Sequence, residues 1–129
     1  MQAADDLITA EALFNAGRYA HCIFFCHLVL EKSLKAVYFH KFKTEPPKTH
    51  HLLSLVDDTG LQTDLPFHML KLLKRLTSVS VTTRYPDDIR RMSKHFTKND
   101  TSIILEKSSE VCVWINERLT KRSNTLKTD

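Results

Sequence analysis

The stretch "YAHCIFFCHLVLEKSLKAVYFHKF", Tyr19 to Phe42, decides how this chain folds. Tyr19, Cys22, Cys26, Val29, Leu30, Leu34 and Val37 recur at the steps that place side chains on one stripe of an α-helix. Phe24, Phe25, Leu28, Ala36 and Phe39 form a second apolar surface on the same helix. A small bundle does not easily cover both, so the pattern predicts a homodimer through this helix.

Working outward, Ala3 to Asn15 carries Ala3, Leu7, Ala10 and Phe14 on one stripe, with Asp5 and Asp6 in the first turn, where the helix dipole favours acids. Gly17 then permits a tight turn, so the first two helices are expected to lie antiparallel. "KTEPPKTH" ends the second helix, because Pro46 and Pro47 lack amide donors and bias their predecessors away from the α region. Thr49 is expected to cap a short third helix, "HHLLSLVDDTG", closed by Gly60. A fourth helix is expected from near Leu65, with Pro66 in its first turn, through "FHMLKLLKRLTSV". Thr97 and Asp100 stand as a capping pair before a fifth, Lys98 to about Arg122, whose stripe is Ile104, Ser108, Val111, Ile115 and Leu119 with Trp114 beside it.

The composition fits this reading. Two glycines and four prolines in 129 residues are too few for an all-β chain of this length. The only run with β propensity, "VSVTTRY", has no partners and makes no sheet. The expected fold is therefore all-α, a four- to five-helix up-and-down antiparallel bundle over residues 1–122, followed by a flexible polar tail over 123–129. A net charge of +4 is compatible with an anionic partner but well short of a nucleic-acid coat. The acidic N-terminus does not resemble a signal peptide, and no apolar run is long enough to span a bilayer, which predicts a cytoplasmic protein without a membrane partner. Cys22, Cys26 and Cys112 are odd in number and lack zinc spacing, so they are expected as small buried hydrophobes. The histidines, including His21, His27, His40, His50 and His51, form no recognisable ligand set, and neither a metal nor a cofactor is expected. His50 is expected to cap the third helix or to pack beneath the preceding loop.

Taken together, "DDLITAEALFNAGRYAHCIFFCHLVLEKSLKA", "PPKTHHLLSL", "RYPD" and "FTKNDTSIILEKSSEVCVWI" resemble, in order and spacing, the small prokaryotic HEPN-domain proteins. The resemblance covers nearly the whole chain. Its most specific pieces are Glu31-Lys32 with Leu34-Lys35-Ala36, the Thr49-His50 pair, and Arg84-Tyr85-Pro86-Asp87. It implies a helical bundle that dimerises through its long helices. It also implies a link to nucleotides and, in many members, a minimal nucleotidyltransferase encoded alongside, the two acting as a toxin–antitoxin pair. Active members are metal-independent RNases with an Arg, four to six residues, then a His.

Two sets of residues follow from that resemblance. Arg90 and His95 have the Arg-x4-His spacing. Internal attack by a 2'-hydroxyl needs a group that titrates near neutrality, which His supplies, and a fixed cation for the phosphorane, which Arg supplies. Active relatives carry a polar residue directly after the Arg, where this chain has Arg91. Lys32, Lys35, Arg84 and Tyr85 form a candidate nucleotide or phosphate site, with the ammonium and guanidinium groups meeting phosphate and the tyrosine stacking on a base. Beside this stand plainer readings: Lys32 and Lys35 in ordinary salt bridges, and Pro86 and Asp87 shaping a turn on which Tyr85 packs.

Overall fold

In a computed structural model of the chain, residues 2–80 and 96–128 are described. They form α1 (Gln2–Asn15), α2 (Tyr19–Phe42), α3 (Leu52–Thr59), a single 3-10 turn (Leu61–Thr63), α4 (Phe67–Ser80) and α5 (Lys98–Thr128), with no strand among the described residues. The all-α fold expected from the sequence is present.

The junctions show why the helices stop where they do. At the end of α1, Gly17 takes φ 76°. Its N–H donates to the Phe14 carbonyl at 3.0 Å, and the Arg18 N–H reaches back to Leu13 at 2.8 Å. These paired bonds satisfy carbonyls that the helix end would leave open, and they reverse the chain into α2. α2 ends on Lys43, a non-glycine residue at φ 55° whose N–H donates to Phe39. The Pro46-Pro47 segment follows.

Three helix boundaries differ from expectation. The cap of α3 is His51, whose Nδ1 accepts the Ser54 N–H at 3.1 Å; Thr49 instead accepts the His51 N–H at 3.1 Å. A ring nitrogen can fill the role of a capping oxygen because the requirement is only an acceptor within reach of the N3 amide. α4 starts at Phe67, with Pro66 just outside it and accepting from Met69 and Leu70. α5 runs to Thr128, past the expected end near Arg122, and its last residues contain neither Gly nor Pro to stop it. The Thr97 cap of α5 is as expected: its hydroxyl accepts the Asp100 N–H at 3.0 Å.

Cross-contacts fix the helix directions. The turn at Gly17 makes α1 and α2 antiparallel. Along α2 from Cys26 to Ser33 the α5 partners advance from Ser108 to Cys112, so α2 and α5 run parallel. Asp64, before α4, meets Arg118 late in α5, while Arg75 late in α4 lies over the ring of Phe96, before α5. α4 is therefore antiparallel to α5. The four long helices alternate up and down, and α3 sits in the crossover between α2 and α4.

The core is one cluster in which Leu30 and Leu34 of α2, Leu52 and Leu55 of α3, Leu73 and Leu76 of α4, and Ile104 and Ile115 of α5 are fully buried. Each such side chain contributes roughly 1.5–3 kcal/mol by leaving water. Cys22, Cys26 and Cys112 are buried free thiols within this cluster. On the outer side of α2, Phe24 and Phe39 remain 36% and 54% exposed. No helix among the described residues is long and apolar enough to cross a membrane.

Candidate functional site

Glu31 is the feature of α2 that hydrophobic patterning leaves unexplained, because it is a carboxylate only 6% exposed on a helix that builds the core. His27 lies one turn before it and Lys35 one turn after, so the three share one side of the helix. The loop after α2 then delivers a fourth group. Lys43 turns the chain in the left-handed conformation, and the Thr49 N–H donates to the Pro47 carbonyl at 2.9 Å, which carries His50 back over α2.

The contacts form a closed set. His50 Nδ1 donates to Glu31 Oε1 at 2.8 Å, and Lys35 Nζ donates to Glu31 Oε2 at 3.2 Å. One carboxylate therefore holds an imidazole on one oxygen and an ammonium on the other. His27 Nε2 donates to the backbone carbonyl of His50 at 2.9 Å, while its Nδ1 stands 3.8 Å from Glu31 Oε1. The partners assign the tautomers: a carbonyl can only accept, so His27 carries a proton on Nε2, and the carboxylate draws the His50 proton to Nδ1. His27 thus fixes the backbone of His50 while Glu31 fixes its ring. Burial of a carboxylate is tolerated only with such partners.

This arrangement has the form of an oriented imidazole. The His50 side chain is 55% exposed while the carboxylate behind it is 8% exposed. The inner ring nitrogen is occupied by a buried partner, and the other, Nε2, is left with a lone pair on a half-exposed ring. A carboxylate in this position holds the tautomer and stabilises positive charge that develops on the ring.

Of the residues singled out from sequence, Lys32 and Lys35 are seen in ion pairs. Lys32 Nζ bonds Asp6 Oδ2 of α1 at 2.6 Å, and Lys35 pairs with Glu31 as above. Each ammonium has three donors and uses one here. Arg84, Tyr85, Pro86, Asp87, Arg90 and His95 lie outside the described residues. His50 packs against α2 and does not cap α3. Among the described residues no group of three or more His, Cys, Asp or Glu converges as a metal site. The sequence reading missed the joint role of His27 and Glu31. Its signal was a Glu inside an apolar helix with His and Lys one turn to either side.

The buried thiols offer different chemistry. The hydrogen bond between Cys26 and Cys22, together with burial, pushes the Cys26 thiol far up, with a smaller opposing effect from Ser108. Cys26 is held as a neutral thiol in the core.

Comparison with known proteins agrees with this architecture. The family model described as HEPN domain matches residues 1–119. The fold is similar to that in the crystal structure of TT1696 from Thermus thermophilus, at TM-score 0.73 and 24% sequence identity, covering 90% of this chain and 91% of that one. No curated protein matches the chain.

Proposed function

The chain belongs to the HEPN-domain family, and from that membership we propose that it is the nucleotide-binding and partner module of a two-gene nucleotidyltransferase–HEPN system of the toxin–antitoxin type. The observation that carries this reading is the pair of partly exposed ammonium groups on α2. Lys32 and Lys35, at 33% and 25% side-chain exposure, are each held by a single carboxylate, Asp6 and Glu31. Lysines held in this way have fixed positions and donors left over, which suits a phosphate. Arg84 and Tyr85 are proposed to complete the site as phosphate and base contacts, with Pro86 and Asp87 shaping the turn that carries them. The outer apolar stripe of α2 with Phe24 and Phe39 supports a homodimer, and the composition supports a cytoplasmic setting.

Titration of the protein with ATP and with a short RNA at rising salt tests this reading. Binding that weakens with salt, and weakens further in Lys35→Met or Arg84→Met, is the expected result. Flat titrations with every nucleotide tested refute nucleotide binding and leave a purely protein-binding module. Light scattering is expected to give twice 14.9 kDa, and a monomer at micromolar concentration refutes the dimer.

A second reading rests on the Arg90-x4-His95 spacing, that of a metal-independent endoribonuclease working across the dimer cleft. It requires that the wild-type protein cleave RNA in EDTA while His95→Ala does not. Equal cleavage by both removes it.

A further inference from the structure

We infer that His50 is a reactive imidazole, a phosphoryl-acceptor site with a small phosphorylated donor as its substrate class. Four observations converge on it. The ring donates from Nδ1 to a buried carboxylate at 2.8 Å, so the nucleophilic lone pair is on Nε2. The ring is half exposed, so a donor can approach. The His50 backbone carbonyl is tied to His27 at 2.9 Å, so the ring pivots on a fixed point. Lys35 donates to the other oxygen of the same carboxylate at 3.2 Å, so the group that orients the ring also holds an ammonium, a cation for phosphate oxygens to meet.

The chemistry balances on these groups. The Nε2 lone pair attacks phosphorus in line, and a nitrogen–phosphorus bond forms as the bond from phosphorus to the leaving group breaks. The leaving group departs with the bonding electron pair. The ring becomes positively charged while keeping its Nδ1 proton, and the buried carboxylate of Glu31 faces that charge from within the protein. Lys35 offsets the negative charge on the phosphoryl oxygens. Glu31 acts here as a positioning residue and touches no substrate. Nothing in the step needs a nucleotide, a metal or a second protein, so the proposal stands or falls apart from the nucleotide-binding reading.

The test uses phosphoramidate as donor, whose nitrogen is already protonated and leaves as ammonia. The full-length protein is incubated with it, followed by phosphorus NMR, and the labelled peptide is mapped. One acid-labile phosphoryl group is expected on His50, forming at least about tenfold faster than on the other histidines. Glu31→Gln, which keeps size and one acceptor but removes the charge, is expected to lower that rate about tenfold with the circular dichroism unchanged. Label spread evenly over the histidines, or an unchanged rate in Glu31→Gln, overturns the proposal. Should Glu31→Gln fail to fold, nitrogen–proton correlation spectra of the wild type decide. The proton of His50 is expected on Nδ1, and a ring protonated on Nε2 alone overturns the assignment.

Discussion

Glu31→Ala probes the cluster most directly, and its cost can be worked from the contacts. The bond from Lys35 is an i,i+4 helix pair, and such pairs contribute roughly 0.3–0.5 kcal/mol. The bond from His50 joins a charged acceptor at 2.8 Å, but the imidazole is 55% exposed and regains water when the carboxylate is lost. That reduces its share to about 1 kcal/mol, below the roughly 1.5–3 expected for a fully buried bond to a charge. Removing the one buried methylene group beyond Cβ adds about 0.8 kcal/mol, offset by roughly 1 kcal/mol because the chain no longer desolvates a charge. The expected loss is about 1.2 kcal/mol, or a fall of about 4 °C in Tm for a chain of this size. Urea unfolding at one fixed protein concentration measures it, since association would otherwise shift the midpoint. The sharper measurement is a pair of double-mutant cycles, in which Glu31 with His50 should couple by about 1 kcal/mol and Glu31 with Lys35 by less than about 0.5. A larger coupling to Lys35 than to His50 would refute the reasoning, since the carboxylate would then be a simple helix-surface partner. So would a Glu31→Ala protein within about 0.5 kcal/mol of wild type.

Two further outcomes follow from the helix ends and the thiols. Gly17→Ala should cost about 1 kcal/mol although a Cβ there would meet nothing within 4 Å, because φ 76° alone opposes a side chain. Lys43→Gly should gain about 0.5 kcal/mol, the left-handed strain outweighing the greater freedom of glycine in the unfolded chain; thermal melts of both variants check the opposite signs. Ellman's reagent at pH 8 should find no rapidly reacting thiol in the native protein and three in guanidinium, because Cys22, Cys26 and Cys112 are all buried. Raising the pH to 9 should not bring Cys26 into reaction, since its folded-state thiol is held above the ordinary value near 8.5.

The bundle was legible because its signals are periodic. The stripes through Cys22, Cys26 and Leu34, and through Ile104, Ser108 and Ile115, are local patterns that any helix of these sequences must display, and the buried residues follow them. Helix ends were less legible, because an end is chosen among near-equal acceptors. Thr49 and His50 were the expected caps of α3, and the path of the loop instead brought the His51 ring to the Ser54 amide. The Glu31 cluster was the least legible. Its His50 contact spans nineteen positions, from α2 to a loop whose course depends on Pro46, Pro47 and the left-handed Lys43.

That same dependence makes the cluster informative about function. A buried carboxylate on a core helix is costly wherever it serves only packing, and a leucine at position 31 would fill comparable space without a desolvation penalty. The surrounding groups would have little to do in a packing role: His27 holds a backbone carbonyl of the loop, and the carboxylate sets the ring of a residue whose outer edge meets solvent. A structural lock of the loop needs only the His27 bond. The additional constraint on the His50 ring specifies which nitrogen is protonated, a property that matters to chemistry at Nε2. The two functions can therefore be separated. Glu31→Gln with His27 intact should keep the loop docked, with amide exchange at residues 49–51 near wild type, while removing the charge behind the ring. Exchange that instead rises across the whole loop in that variant would show that the carboxylate serves the fold and not the imidazole.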